Sequence, residues 1–403
     1  MIINPVQTLH STSLTDAKNA KRIEIIDALR GFSLFGIILI HSTQFFEQTL
    51  LEPIPESFNI NYLTKRTVQL FAQNKFYSIF SFLFGLSFAI QIKNASAKEQ
   101  AFFGRFIWRM FILLVIGYFH SLLYPDEILQ GYALLGLVLL VFAKSNNRIL
   151  LFLSLIFFVT SIAMELYRYD KEVFGAIDSF TIAAENSTFS RFMGLHRLSY
   201  SLLTGRLFVT MALFFLGVYA GRKNVFIDTS NNQLLFKKLL ISSTIVAILC
   251  FAIKLIIDNY SNTNKVLFGQ SLDLTYVSTI ATSLRRIAMS FFYVAVLVKL
   301  NRARLFKPIL QWLVPVGKMG LSIYIMQSVI LTTFFSLEPA IISSLGMTVI
   351  VGITIILFFV QVLFAYCWML YFRFGPVEWL WRILVNRKGE PILKHKHLVK
   401  EVR

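Results

Sequence analysis

The class of fold is decided by residues 22–41, which read RIEIIDALRGFSLFGIILIH. After Arg30 the stretch is almost entirely apolar, and about 20 such residues make a helix long enough to cross the hydrocarbon core of a bilayer. On a helix, Asp27, Arg30 and His41 share one face. At about 1.5 Å per residue, Asp27 and His41 lie about 21 Å apart along the axis. The stretch therefore predicts a transmembrane helix with polar groups at both ends.

The whole chain is too apolar for a soluble protein. Of its 403 residues, 56% are hydrophobic and 15% are charged, whereas a soluble domain has about 25% charged residues. The mean hydropathy is +0.66, and 41 Phe residues outnumber the 21 acidic residues. This composition excludes a cytosolic enzyme, a disulfide scaffold and a disordered chain. Both cysteines, Cys250 and Cys367, lie in apolar runs, so we predict neither a disulfide framework nor a metal site.

Apolar runs of spanning length recur along the chain and predict an all-α, polytopic integral membrane helix bundle with about ten transmembrane helices. The first run is too long for the apolar region of a cleavable signal peptide. The predicted spans are 25–45, 76–93, 106–124, 128–143, 149–167, 205–221, 236–257, 283–300, 319–336 and 346–372. The predicted organisation is a cytoplasmic tail at 1–22, a single bundle at 23–382 with an outer amphipathic segment at 168–204, and a basic cytoplasmic tail at 383–403.

The distribution of Lys and Arg predicts the orientation of the bundle. With the N-terminus in the cytoplasm, 27 of the 39 Lys and Arg residues fall in inner segments and 12 in outer ones. Cytoplasmic loops carry such an excess, so we predict an N-in, C-in topology. The net charge of +18 then reflects topology and the lipid bilayer as a partner, not nucleic acid. For the basic tail, contact with anionic headgroups and simple solvation both stay open.

Polar residues at membrane depth are the candidates for function. Asp27 and Arg30 fall at the inner end of the first span, either as a structural ion pair or as part of a binding site. His41 falls in its outer half, either as a buried imidazole bonded to a neighbouring helix or as a functional group. Gln327 and Gln361 lie in mid-span, where an amide needs partners, either from another helix or from a substrate.

The third predicted span, like the first, carries charged residues at its inner end and a histidine towards its outer end. Arg105 and Arg109 lie at its inner end, and His120 lies at its outer end, followed by Asp126 and Glu127. A histidine beside a carboxylate is the elementary general-base unit, because the carboxylate fixes the tautomer and stabilises the imidazolium. The same set would also serve as a proton relay or an ion-coupling site.

A group of basic residues is predicted on the outer side. It either holds an anionic substrate or lies among solvent and lipid headgroups. Its members are Arg191, His196, Arg197, Arg206, Arg285 and Arg286.

Five motifs occur in one order along the chain. They are DALRGFSLFGIILIH at 27–41, KFYSIFSFLFG at 75–85, GYFH at 117–120 leading into EILQGYALLG at 127–136, GKMGLSIYIMQS at 317–328, and GPVEWLWR at 375–382. In sequence and order they resemble the YeiB-like bacterial membrane proteins, a family of unknown function. The resemblance extends from residue 22 to residue 382 and implies a multi-pass protein of the bacterial cytoplasmic (inner) membrane.

The first span also resembles that of the wider transmembrane acyltransferases, which comprise the sugar O-acyltransferases and the heparan-glucosaminide N-acetyltransferase type. Those enzymes pass an acyl group from cytoplasmic acyl-CoA to a sugar on the far side of the membrane. In the O-acyltransferases a functional His stands where this chain has His41. In the N-acetyltransferase type and in many YeiB-like chains Asn stands there. The resemblance therefore leaves two assignments open: either His41 is the base, or His41 positions a substrate and His120 is the base. Glu127 matches the acidic residue that follows the third span, with Asp126 before it.

The resemblance implies a transmembrane acyltransferase with acyl-CoA as co-substrate and an extracytoplasmic sugar, or another glycan or lipid of the envelope, as acceptor. The alternatives are a transporter or permease for a small solute or lipid, and a non-catalytic membrane scaffold. The predicted catalytic residues are His41, His120, Glu127 and Asp126. The predicted substrate- and cofactor-binding residues are Asp27, Arg30, Arg105, Arg109 and Gln327.

Overall fold

The computed structural model describes residues 5–50, 54, 59–95, 99–124, 127–167, 200–263, 274–337, 339–387 and 389–394. Within these ranges the regular structure is helical, and the β-type pairing consists of one isolated bridge between Phe372 and Leu393. The predicted catalytic residue Asp126 lies outside the described residues. So does the predicted amphipathic segment 168–204, apart from residues 200–204.

The helices are numbered here in chain order. They are α1 Pro5–Thr49, α2 Ile60–Phe71, α3 Phe76–Ala95, α4 Glu99–Leu123, α5 Leu129–Val141, α6 Asn147–Tyr167, α7 Arg206–Arg222, α8 Ser230–Thr263, α9 Leu274–Arg302, α10 Lys307–Lys318, α11 Gly320–Leu337, α12 Pro339–Ser344, α13 Met347–Tyr371 and α14 Pro376–Asn386.

The described residues contain 8 segments that are long and apolar enough to cross a membrane. They are Glu24–Thr49, Ile60–Ala95, Phe102–Leu123, Asn147–Tyr167, Ser230–Asn259, Tyr276–Arg302, Gly320–Leu337 and Met347–Tyr371. Each overlaps one of the predicted spans, so the all-α membrane bundle is confirmed. The two other predicted spans, 128–143 and 205–221, correspond to α5 and α7, which have only 13 and 17 residues. Both are short for a hydrocarbon core of about 30 Å. The N-in, C-in orientation stays a prediction.

The chain divides into two compact units. The first comprises Met1–Arg22 with Asn74–Leu300, and the second comprises Ile23–Gln73 with Asn301–Arg403. Within the first unit, α7 packs against α3, α5 and α6, and α4 packs against α3 and α5. Within the second unit, α13 packs against α2 and α10, and α11 packs against α14. The predicted boundaries at residues 22 and 382 stay predictions.

Two glycines allow α3 and α7 to approach closely. A Cβ atom on Gly85 would lie 2.0 Å from the carbonyl oxygen of Phe214, and one on Gly217 would lie 2.1 Å from that of Phe82. No residue with a side chain fits at such distances, because the clash is with backbone rather than with a movable side chain. Gly85 and Gly217 therefore serve close packing, because small residues let two helix backbones approach each other.

Helices of the first unit differ strongly in burial. Nearly every residue of α7 from Val209 to Gly221 is buried. By contrast, only 17% of the most apolar window of α6 and 11% of that of α8 are buried. Large apolar side chains such as Phe152 and Ile248 are 63% and 62% exposed. Such surfaces suit lipid, whereas α7 is a core helix.

In the second unit, the motif at 375–382 holds the start of α11. The Glu378 carboxylate accepts hydrogen bonds from the backbone N–H groups of Leu321 at 2.7 Å and Ser322 at 3.0 Å, and from the Ser322 hydroxyl. A carboxylate at a helix N-terminus satisfies donors that have no partner within the helix. Glu378 therefore acts as a remote cap that ties α14 to α11.

Candidate functional site

His120 and Glu127 form a buried pair in the first unit. His120 lies in the last turn of α4, and Glu127 lies in the short connection to α5. The His120 Nδ1 and Glu127 Oε1 atoms are 3.9 Å apart, and each side chain is only 1% exposed. This distance is outside direct hydrogen-bonding range, but it is close enough for a small movement to join the two groups. The structure thus brings together two of the four predicted catalytic residues.

The position of Glu127 is set by the start of α5. Its carboxylate accepts the backbone N–H of Gln130 at 3.0 Å and also that of Leu129. These are the donors that the first turn of a helix leaves without an intrahelical partner, and the positive end of the helix dipole favours a carboxylate there. Glu127 is therefore held at a defined place beside the imidazole. This arrangement is possible because the helical path is interrupted between the end of α4 and the start of α5.

A small polar cavity adjoins the pair. It is lined by Glu127, Gln130, Tyr132, Arg206 and Thr210, with four further residues: Ile128, Gly131, Ser201 and Leu207. The Tyr132 hydroxyl shares a hydrogen bond of 2.6 Å with Ser81, and the Arg206 guanidinium lies 5.4 Å from the centre of the Tyr77 ring. The cavity thus combines a carboxylate, a guanidinium and hydroxyls, which are groups that can bind a hydroxyl-bearing ligand.

The opposite end of α4 carries the predicted donor-binding arginines. The Arg109 guanidinium donates a hydrogen bond of 2.5 Å to the side-chain oxygen of Gln91 on α3, while Arg105 is exposed. Arg109 and His120 are separated by about 16 Å along the helix axis. One helix therefore presents guanidinium groups near one end and an imidazole near the other.

In the second unit, Asp27 and Arg30 form the ion pair that their spacing allows. Arg30 Nη1 lies 2.7 Å from Asp27 Oδ1, and the Asp27 side chain is only 6% exposed. The Lys318 charge also acts on Asp27. Asp27 lies where α1 and α10 touch, because a Cβ atom on Gly317 would come within 1.8 Å of the Asp27 carbonyl oxygen. These contacts fit the structural alternative for the ion pair.

His41 lies in the second unit, in an environment different from that of His120. It is buried, and its ring centre lies 6.1 Å from that of Tyr324 on α11. The neighbouring Ser42 hydroxyl accepts a hydrogen bond of 2.8 Å from Thr354 on α13. His41 therefore belongs to a polar seam among α1, α11 and α13. His41 and His120 belong to separate units.

Gln327 and Gln361 bridge two helices of the second unit. The Gln327 amide nitrogen donates to the Gln361 side-chain oxygen at 3.0 Å and to the Leu34 carbonyl oxygen at 3.5 Å. Both residues are almost completely buried. This is the geometry expected of the interhelical alternative. The Gln327 oxygen and the Gln361 nitrogen accept and donate no hydrogen bond among the described residues, so each amide retains capacity for one more partner.

Sequence reasoning missed Glu165 and gave Lys75 no role beyond topology. Lys75 precedes α3 and is 1% exposed. Glu165 accepts a hydrogen bond of 2.6 Å from Arg286 and one of 2.5 Å from the Ser283 hydroxyl. An acidic residue near the end of an apolar helix was the available signal for Glu165. The Lys75 carbonyl oxygen accepts a hydrogen bond from Ser290 of α9, and no local feature of the sequence indicates this contact.

In comparisons with known proteins, the N-terminal and C-terminal parts of the chain match different family models. Residues 22–190 match the family model "Heparan-alpha-glucosaminide N-acetyltransferase, catalytic", and residues 220–388 match the model "Protein of unknown function (DUF418)". The uncharacterized protein YeiB of Escherichia coli (strain K12) is 36% identical over 78 residues, which cover 19% of this chain and 20% of YeiB. The YeiB-like resemblance is confirmed. The N-terminal half of this YeiB-like chain is also acyltransferase-like.

Two relatives extend the similarity over nearly the full length. The uncharacterized protein YxaH of Bacillus subtilis (strain 168) is 27% identical, and the alignment covers 95% of this chain and 99% of YxaH. An uncharacterized 39.9 kDa protein in the amylase 3' region of Bacillus acidopullulyticus is 25% identical, with 93% and 97% covered. No solved structure matches the chain. Residues 22–190, which match the N-acetyltransferase model, contain every predicted catalytic residue.

The described part of the chain contains no group of three or more His, Cys, Asp or Glu side chains that could hold a metal ion.

Proposed function

We propose that this protein transfers an acyl group from cytoplasmic acyl-CoA to a hydroxyl or amine of an extracytoplasmic glycan or lipid. The observation that carries the proposal is the buried His120–Glu127 pair beside a polar cavity. It lies within the half of the chain that matches an acetyltransferase catalytic model. We further propose that the protein lies in the bacterial cytoplasmic membrane, with the end of α4 that carries His120 facing outwards.

The reaction needs a base that takes the proton of the acceptor hydroxyl or amine. Since Nδ1 of His120 faces Glu127, Nε2 takes the proton of the acceptor hydroxyl or amine. The acceptor oxygen or nitrogen attacks the thioester carbonyl, the new C–O or C–N bond forms, and the C–S bond breaks. The proton held by His120 then passes to the departing CoA thiolate. Glu127 stabilises the imidazolium between these steps.

The donor is bound at the other end of α4. Guanidinium groups suit the phosphates of CoA, and Arg105 and Arg109 supply two of them. The pantetheine arm would then extend along the helix towards His120, which reduces the distance that the acyl group has to cover. Binding roles for Asp27, Arg30 and Gln327, which belong to the second unit, stay predictions from the sequence.

The test is transfer of radiolabel from acetyl-CoA in vesicles that contain the purified protein and an envelope extract as acceptor source. We expect labelled product with the wild type and loss of most label with His120→Ala. Phe119→Ala is the matched control, because Phe119 adjoins His120 on α4 but is 62% exposed. Binding of CoA to the purified protein is measured in parallel. Absence of both CoA binding and label transfer in the wild type would refute the proposal.

The transporter alternative has one structural observation in its favour. The helical path between residues 307 and 337 is interrupted at Met319, which follows α10 and precedes α11. Interrupted helices are frequent in transporters. Uptake or efflux of solute by vesicles that contain no acyl-CoA would favour this alternative over acyl transfer.

A further inference from the structure

A cationic cluster lies in the first unit and comprises Lys75, Arg285 and Arg286, of which Lys75 and Arg285 are buried while the Arg286 side chain is 29% exposed. Lys75 is joined to α9 because the Ser290 hydroxyl donates a hydrogen bond of 3.0 Å to its carbonyl oxygen. Ser290 lies about one turn after the two arginines, whose charges act on the Lys75 ammonium group. Lys75 and Arg285 are 1% and 8% exposed. The fold thus concentrates positive charge where little water reaches.

Acidic side chains neutralise the three cations of this cluster to different extents. Glu165 lies against Arg286, with its Oε1 atom 2.6 Å from the guanidinium, and its other oxygen is occupied by the Ser283 hydroxyl. Asp258, whose charge also acts on Arg285, forms an ion pair of 3.1 Å with Lys254. The Nε atom of Arg285 is buried and has no hydrogen-bond partner among the described residues, and the guanidinium lies 5.9 Å from the centre of the Phe251 ring.

A buried guanidinium needs an acceptor, because removing it from water costs more than packing returns. The fork of N–H groups on a guanidinium matches the oxygens of a phosphate, and an ammonium group adds a second positive charge. We propose that Lys75, Arg285 and Arg286 form a binding site for a phosphate group. The phosphate belongs either to a phospholipid headgroup or to a soluble phosphorylated compound.

The cluster continues towards the cavity beside His120 through Tyr77. Both Arg206 and Arg286 act electrostatically on Tyr77, and the Tyr132 hydroxyl donates to the Tyr77 carbonyl oxygen at 3.3 Å. Arg206 and Tyr132 also line the cavity. A ligand with a phosphate at the cluster and a hydroxyl in the cavity would contact both. On the proposed function, on which this step rests, the acyl acceptor is therefore a phosphate-bearing glycan or lipid.

The test measures phosphate binding without any acyl donor. The protein is placed in phosphatidylcholine nanodiscs and titrated with inorganic phosphate, while a second preparation contains phosphatidylglycerol. We expect phosphate to bind and to raise the Tm if the source is soluble, and phosphatidylglycerol alone to raise it if the source is a lipid. Arg285→Gln and Lys75→Gln should each weaken the response by about tenfold or more, because each removes a charge-assisted hydrogen bond.

Controls separate binding from folding. Lys65→Gln removes a cation that forms an ion pair with Glu47 in the second unit, so its response should equal that of the wild type. Arg285→Lys keeps the charge and should keep part of the response even if Arg285→Gln folds poorly. If neither phosphate nor phosphatidylglycerol changes the Tm, or if Arg285→Gln and Arg285→Lys respond like the wild type, the phosphate site is refuted.

The outcomes also distinguish this site from the proposed function. Phosphate binding without any acetyl transfer would retain the site and refute the acyltransferase. Acetyl transfer that is indifferent to Arg285→Gln would retain the enzyme and refute the phosphate-bearing acceptor.

Discussion

The two buried histidines near predicted span ends have different neighbours. His120 lies 3.9 Å from a carboxylate that is itself fixed by the first turn of a helix. His41 lies against the ring of Tyr324, beside a hydroxyl pair that joins two helices. A base needs a partner that stabilises its protonated form, whereas a positioning residue needs only a fixed place. On the proposed function, His120 is therefore the candidate for proton transfer and His41 the candidate for a supporting role.

The largest expected effect concerns the His120–Glu127 pair. Glu127→Gln keeps the cap on α5 but removes the negative charge that stabilises the imidazolium. We expect the rate of label transfer to fall by about 10²- to 10⁴-fold for His120→Ala and by a similar amount for Glu127→Gln. Because the residues act as one unit, the double variant should be little worse than either single one. Additive losses in the double variant would mean that the residues act independently.

A smaller effect is expected at His41. His41→Ala should lower the rate of label transfer by up to about tenfold, which is the worth of one hydrogen bond, and His41→Asn should restore most of it. Asn retains a hydrogen-bonding group at this position but cannot act as a base. The measurement is kcat and KM for acetyl-CoA in the same vesicles. If His41→Asn is as inactive as His120→Ala, the assignment of the two histidines is reversed.

The amide pair of the second unit tests whether its polar groups serve packing. Gln327→Leu leaves the Gln361 amide buried without this partner, so we expect a loss of about 1 kcal/mol in the free energy of unfolding. The double variant Gln327→Leu/Gln361→Leu should recover most of that loss, because no amide remains. Unfolding in mixed micelles measures the stability of all three variants. A rise in KM for acetyl-CoA with unchanged stability would instead assign the amides to the donor.

The smallest expected effect is a pH dependence at Glu378. Burial raises the pKa of its carboxyl above the usual value, although hydrogen bonds from Ser322 and Leu321 oppose the shift. The folded protein therefore holds this proton more tightly than the unfolded chain, and stability falls as pH rises through the interval above about 4.5. Glu378→Gln does not titrate, so its Tm should show a shallower decline over this interval. Equal slopes for the two proteins would show that Glu378 does not control the effect.

The site was predictable where its members are close in the chain. His120 and Glu127 are separated by one helix break, and Asp27 and Arg30 by one helical turn, so spacing alone suggested both pairs. Gln327 and Gln361 were singled out as amides at depth, but their partners were not identified. Arg285 and Arg286 were singled out as members of a basic group, but Lys75 was not joined to them, because 210 positions separate Lys75 from Arg285 and nothing local connects them.

The sequence by itself determined that this chain is an all-α membrane protein, because apolar runs as long as residues 346–372 far exceed a transmembrane strand, and in lipid a helix then satisfies the backbone. It also determined the polar ends of the first and third spans. Only the tertiary structure decided which helices lie inside. Both α7 and α8 are apolar, yet α7 is buried and most of α8 is exposed. Glycines at 85 and 217 bring α7 against α3. Burial is a property of packing, and packing joins residues that the sequence keeps apart.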